Sequence, residues 1–154
     1  MEELNTNNEQ LPIEPKPVVR PPLLKLLCIL TFIGSGLQLV SNLNCALFYE
    51  ETVQGVKDNK LPAFLLPLKP EILHLLSAGR NFFAINFILY TASVIGAYYM
   101  WKLFKKGFHI YTISQIIIIL ITIYYFKELG IPFEAILFSG MYVAFYAMNL
   151  KAMK

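Results

Sequence analysis

Charge is what this sequence has least of. Of its 154 residues, 13 are lysine or arginine and 10 are aspartate or glutamate, so charged residues make up 15% of the chain against 56% hydrophobic. Soluble domains carry about 25% charged residues, and a water-facing surface for a chain of this length cannot be assembled from so few. The charges are also kept out of long stretches, with none between Leu26 and Phe48 or between Asn81 and Trp101.

Other shortages exclude particular chemistries. Cysteine occurs twice, as Cys28 and Cys45, without C-x-x-C spacing. On one helix rising about 1.5 Å per residue the two sit about 25 Å apart, so they form neither an intrahelical disulfide nor a redox or zinc motif. The residues before them, Lys25-Leu26-Leu27 and Asn42-Leu43-Asn44, lack the small side chains of a lipidation signal, and Cys45 reads as a packed small residue. His74 and His109 have no partner at H-x-x-x-H spacing and read as interfacial side chains, so no metal site is expected. The apolar runs hold neither a serine and histidine arrangement nor paired aspartates, and glycine-rich phosphate loops and acidic clusters are missing. No catalytic residue, no cofactor and no enzymatic activity are therefore expected. The net charge of +3 is not gathered on one basic face, which excludes nucleic acid as a partner.

What remains is four apolar runs. A helix needs about 20 residues to cross about 30 Å of hydrocarbon, and the first three runs meet that length. The block Ile116-Ile117-Ile118-Ile119-Leu120-Ile121 would favour a strand in water, but a lone strand in lipid leaves its backbone unsatisfied. The pattern predicts an all-α integral membrane four-helix bundle, with spans over about 23–49, 81–104, 109–127 and 132–150 and the lipid bilayer as its surroundings. Glu134 trims the charge-free part of the fourth to about 16 residues. That span depends on a hairpin with the third through Lys127-Glu128-Leu129-Gly130-Ile131-Pro132, where glycine ends one helix and proline opens the next. Glu134 itself suits the positive N-terminal end of that helix.

Residues 1–22 are polar and proline-rich and read as a disordered cytoplasmic tail rather than a cleavable signal, leaving residues 23–154 as the membrane domain. The loop over residues 50–80 is too long and apolar for a plain linker. Pro70 followed by Glu71 predicts a short extra helix over about 70–78, lying at the outer interface or capping the bundle. Placing both termini in the cytoplasm puts Lys16, Arg20, Lys25, Lys102, Lys105, Lys106, Lys151 and Lys154 inside. The smaller set Lys57, Lys60, Lys69, Arg80 and Lys127 falls outside, offset by Glu50, Glu51, Asp58 and Glu71. Trp101, Tyr98, Tyr99, Tyr124 and Tyr125 fall near span ends, where aromatic rings prefer the interface.

Polar side chains inside spans are the informative ones, because lipid tolerates them only against other helices or water. Thr31, Gly34, Ser35, Gln38, Ser41, Asn42 and Cys45 recur at steps of three and four and share one face of the first span. Asn86, Ala92, Ser93 and Gly96 do so in the second, Thr112, Gln115 and Thr122 in the third, and Gly140, Ala144 and Ala147 supply small residues in the fourth. The candidate seam is Gln38, Ser41, Asn42, Asn86, Ser93 and Gln115, either as the packing contact between helices or as the lining of a solute path. Lys102, Lys105 and Lys106 form a cytoplasmic basic cluster that either retains its loop inside the cell or recruits anionic headgroups. Transport driven by protons or cations would want an acid in mid-membrane, and the runs contain none.

Three phrases carry a resemblance: Leu26-Leu27-Cys28-Ile29-Leu30-Thr31-Phe32-Ile33-Gly34-Ser35-Gly36, Met100-Trp101-Lys102-Leu103 through Lys106-Gly107, and Tyr146-Ala147-Met148-Asn149-Leu150-Lys151. From about Pro22 onward the chain resembles a family of small bacterial four-span membrane proteins of unassigned function. The resemblance implies a bacterial inner membrane and carries over no site residues. The expected role is a non-enzymatic membrane component that packs against a second copy or another membrane protein. The alternative is a small-solute transporter or channel subunit acting as an oligomer, with Gln38, Asn42, Asn86 and Gln115 along its path.

Overall fold

A computed structural model describes residues 20–127 and 132–154. Among them every regular element is helical: α1 (Pro22–Leu47), α2 (Tyr49–Lys57), α3 (Lys69–Leu76), α4 (Arg80–Trp101), α5 (Lys105–Tyr125) and α6 (Phe133–Met148), with 3-10 turns at Ala63–Leu68 and Leu150–Ala152. The expected disordered tail and the glycine turn before Pro132 fall largely outside the described residues. The helices α1, α4 and α5, of 26, 22 and 21 residues, are long and apolar enough to cross a membrane, which marks the chain as an all-helical membrane protein. With 16 residues, α6 is a shorter apolar helix.

The first span ends at Leu47 rather than at 49. Phe48 leaves helical geometry (φ −112°, ψ 42°), and α2 starts at once with Glu50 and Glu51 in its first turn. Two acids stabilise the positive end of a new helix and resist continuation of an apolar one. The loop is thus largely helical, and its second helix opens one residue before Pro70 and stops at Leu76 rather than at 78. Side chains tie this cap to the spans. Tyr49 Oη donates to the Leu76 carbonyl (2.6 Å), Arg80 Nε donates to the Ala46 carbonyl (2.7 Å), and Val56, Leu76, Phe82 and Phe83 bury a common cluster.

At the opposite end α4 stops at Trp101 and α5 begins at Lys105, so the expected boundaries of 104 and 109 both move. The turn closes because Leu103 adopts a left-handed backbone (φ 64°) and buries its side chain. Lys105 and Lys106 consequently lie in the first helical turn of α5 rather than in a loop. Two glycines bring α4 and α5 into backbone contact beside this turn. A Cβ on Gly96 would sit 2.8 Å from the Tyr111 amide nitrogen, and one on Gly107 would collide with the Gly96 carbonyl. Small residues permit this approach in lipid, where no hydrophobic force draws helices together.

Both chain ends of the described structure meet at the same turn. Arg20 Nε donates to the Trp101 carbonyl (2.8 Å) with its guanidinium over the indole ring, 5.1 Å from the centroid. The Lys154 amide donates to the Leu103 carbonyl (2.7 Å), and the Lys105 amide donates to that of Lys154 (2.9 Å). Beneath lies a core of Leu24, Leu27, Cys28, Met100, Leu103, Tyr111, Tyr146 and Met153. We call this the basic end and the α2 and α3 side the capped end. Around this shared frame α6 is held from Ser139 onward, with Tyr146 fully buried, while Phe133 through Phe138 are all exposed.

Candidate functional site

The helices draw together at the basic end and part toward the cap, and the parting leaves a groove. In α1 the buried polar residues Thr31, Ser35 and Asn42 form one stripe at helical spacing. Gln38 stands on that stripe, three residues after Ser35 and four before Asn42, yet it is exposed. It lines a gap between the helices instead of a packed contact.

The gap has two connected parts. One, of about 390 Å³, lies under the cap and is lined by Gln38, Ser41, Asn42, Asn86, Tyr90 and Thr122 together with Phe82, Phe83, Ile118 and the α3 residues Ile72, Leu75 and Leu76. The other, of about 250 Å³, shares Gln38 and Tyr90 and runs along α1 to Thr31, Tyr111 and Gln115, with Leu30 on one wall and Phe138 on the other. Neither part has a charged side chain or a histidine in its lining. The second part opens sideways, because Gly34 on α1 and Phe138 on α6 are exposed.

Hydrogen bonds close the groove toward the basic end. Thr31 Oγ1 and Tyr146 Oη are 2.7 Å apart and join α1 to α6, with the Tyr111 ring edge-on to that of Tyr146 at 5.1 Å. Gln115 Nε2 donates to Ser93 Oγ (3.2 Å), and Ser139 Oγ donates to Gln115 Oε1 (3.1 Å), so one α5 amide bridges α4 and α6. Below them Cys28 Sγ is directed at the Ala97 carbonyl at 3.7 Å.

The seam residues therefore divide. Ser93 and Gln115 form an interhelical bridge, Asn42 and Asn86 are buried at the groove wall, and Gln38 and Ser41 are exposed in it. Asn42 Nδ2 donates to the Gln38 carbonyl (2.7 Å) and Asn86 Nδ2 to that of Phe82 (3.0 Å), so each amide bonds its own helix rather than a neighbour. Thr112 Oγ1 is buried and, among the described residues, unbonded. The small residues Gly140, Ala144 and Ala147 are exposed, and α6 packs through Ser139, Tyr142, Val143 and Tyr146 instead. Aromatic bulk with a hydroxyl fills the space between α6 and its neighbours, where small side chains would leave a void. Lys102, Lys105 and Lys106 are all exposed at the basic end.

Sequence reading missed Tyr90, Tyr146 and Gly107. Tyr90 lies four residues after Asn86 and three before Ser93, a spacing that places it on their face. Tyr146 lies in the last turn of α6, where a tyrosine reads as one more interfacial aromatic, so no signal in the spacing marks it as buried. Among the described residues there is no group of three or more histidine, cysteine, aspartate or glutamate side chains able to hold a metal ion.

Fold and site together define a helical membrane protein with an uncharged, hydrogen-bonding groove that opens sideways between two helices. Comparison with family models, with curated proteins and with solved structures gives no match to this chain.

Proposed function

We propose that this chain is a non-enzymatic, four-span integral membrane component that works by taking a membrane-embedded partner into the groove between α1 and α6. The observation that carries the reading is Gln38. Its amide stands on the inward stripe at mid-helix, exposed and, among the described residues, without a side-chain hydrogen bond. An amide facing hydrocarbon loses the hydrogen bonds it had in water, at a cost of roughly 1–3 kcal/mol, and an occupant that bonds it recovers that energy.

Counting α6 as the fourth crossing follows from its chemistry and placement. Its one charge is Glu134 near its start, which suits the helix's positive end, and the rest is uncharged. The convergence of Arg20, the α4–α5 turn and Lys154 brings the start of α1 and the end of α6 to one side, as an even number of crossings requires. That side collects Arg20, Lys25, Lys102, Lys105, Lys106, Lys151 and Lys154, whereas the other carries the smaller basic set Lys57, Lys60, Lys69, Arg80 and Lys127 beside Glu50, Glu51, Asp58, Glu71 and Glu134. By the positive-inside rule this bias supports a cytoplasmic side for both termini. The family resemblance adds a bacterial inner membrane as the setting. The buried plug of Thr31, Tyr111 and Tyr146 favours a pocket over a through path for solutes.

A photoreactive amino acid placed at Gln38 in native membranes should capture a partner, while the same probe at Ile29, on the opposite face of α1, should not. Equal capture at both positions would overturn the reading. Reporters fused after Lys106 and near Asp58 test orientation, with cytoplasmic signal expected from the first only. Signal from the second reverses the topology.

A further inference from the structure

We infer that the occupant of the groove is an uncharged amphiphile bearing hydroxyl groups, of the diacylglycerol or long-chain-alcohol class, that enters sideways from the bilayer. The inference rests on the groove being the binding site proposed above, and it names the chemistry of what binds.

The groove's hydrogen-bonding polarity is set by two asparagines. Asn42 and Asn86 are 7% and 3% exposed. A backbone carbonyl only accepts, so their bonds to Gln38 and Phe82 identify the bonded atom as Nδ2 in both. Both amides are thereby fixed on their own helices, and each Oδ1 is left as an acceptor without a protein donor among the described residues. Gln38 adds a free amide, and Tyr90 a phenol, at the place where the two parts of the groove join. Acceptors held at this depth call for donors, and a hydroxyl is the donor that also accepts from Gln38.

Charge selects against the commoner lipids. The lining has no lysine, arginine or histidine to neutralise a phosphate and no acid to neutralise an ammonium. Burying either ion unpaired is heavily unfavourable. The rest of the wall is hydrocarbon and aromatic, from Phe82, Phe83, Ile118 and Leu76. A volume of about 390 Å³ falls in the range of small-ligand sites, roughly 300–1,000 Å³, and suits a headgroup with the first part of its chains. The chains can leave through the opening between Leu30 and Phe138, both exposed. At the far end, past Leu75, Thr122 and Phe126, the groove adjoins an outer pocket that carries Glu71 and His74, so charge is confined to that end and the lateral mouth is the uncharged route.

The test uses the full chain reconstituted in vesicles with photoactivatable diacylglycerol, and in parallel with photoactivatable phosphatidylglycerol. Saturable labelling by the diacylglycerol probe is expected, mapping to peptides of α1 and α4 and suppressed by excess unlabelled diacylglycerol. Gln38→Leu and Asn42→Leu together should lower that labelling about tenfold, the loss equivalent to one good hydrogen bond. Because Gln38 is exposed, the single variant Gln38→Leu serves as the control that folds normally and should still show a clear drop. Equal labelling by the phosphatidylglycerol probe would overturn the charge argument. Suppression by free glycerol alone would show a water-soluble polyol site and overturn the membrane origin. If the Gln38 photoprobe captures a protein while the diacylglycerol probe fails to label, the lipid inference falls and intramembrane association stands. If neither captures anything, both fall.

Discussion

The two ends of this bundle use the same helices differently. Toward the basic end α4 carries Ala92, Ser93, Gly96 and Ala97, and α5 answers with Gly107, so the backbones touch and the polar groups reach one another across helices. Toward the cap the corresponding stretch of α4 carries Phe82, Phe83, Asn86 and Tyr90, whose bulk holds the neighbours apart. Thr31, Ser93 and Gln115 find partners on other helices, whereas Asn42 and Asn86 turn back to their own. Side-chain size thus sets the taper, and the taper decides whether a polar group becomes a fastening or part of a binding surface. The tight end fastens the helices to one another, and the open end leaves its amides without partners across helices.

The largest expected effect comes from spoiling the tight end. Gly107→Ala places a methyl group against the Gly96 carbonyl and 2.6 Å from the Met100 amide nitrogen, atoms of helix backbone that cannot step aside. Overpacking of this kind costs about 1–3 kcal/mol and should appear as a lowered unfolding midpoint in detergent. Gly140→Ala meets nothing within 4 Å and should leave the midpoint where it was, so equal losses in the two variants would refute the contrast between the ends. A smaller effect is expected from the α1–α6 fastening. Thr31→Val and Tyr146→Phe should each cost about 1 kcal/mol, and the pair less than the sum, because either change alone breaks the same bond. Additive losses in that cycle would show that the two hydroxyls act separately. The smallest expected effect on stability is at the open end, where Gln38→Leu should shift it by no more than about 0.5 kcal/mol. A large loss there would mean that Gln38 fastens the bundle and is not held ready for an occupant.

Much of the fold was legible in the sequence, for a simple reason. Length without charge is sufficient to mark α1, α4 and α5, and Pro70 with Glu71 marks the start region of α3. The break at Phe48 was not legible, because Phe48 and Tyr49 are as apolar as the span before them and only the acids that follow explain the change of direction. Gly107 was hidden by its neighbours Lys105 and Lys106, which read as loop although they begin a helix. At the site, helical spacing collected Gln38, Asn42, Asn86, Ser93 and Gln115 as one set but could not divide them. Division depends on the separation of the helices at each depth, and that follows from side chains on the facing elements. Gly140, Ala144 and Ala147 offer α6 a small-residue side, but spacing fixes only which residues share a side and not which way it faces. Tyr142 and Tyr146 took the inward side, where the gap to α1 and α5 is wide enough for rings.

The shortness of α6 has a consequence for the membrane around it. Sixteen residues rise about 24 Å, against about 39 Å for the 26 of α1 and about 30 Å for hydrocarbon in an average bilayer. On the four-span reading, lipid beside α6 must thin to match it, while α1 meets its own excess by tilting. The protein would then carry a dimple on one flank only, at the lateral mouth of the groove. Such asymmetric hydrophobic mismatch favours thin regions of membrane and loosens acyl order beside the proposed point of entry.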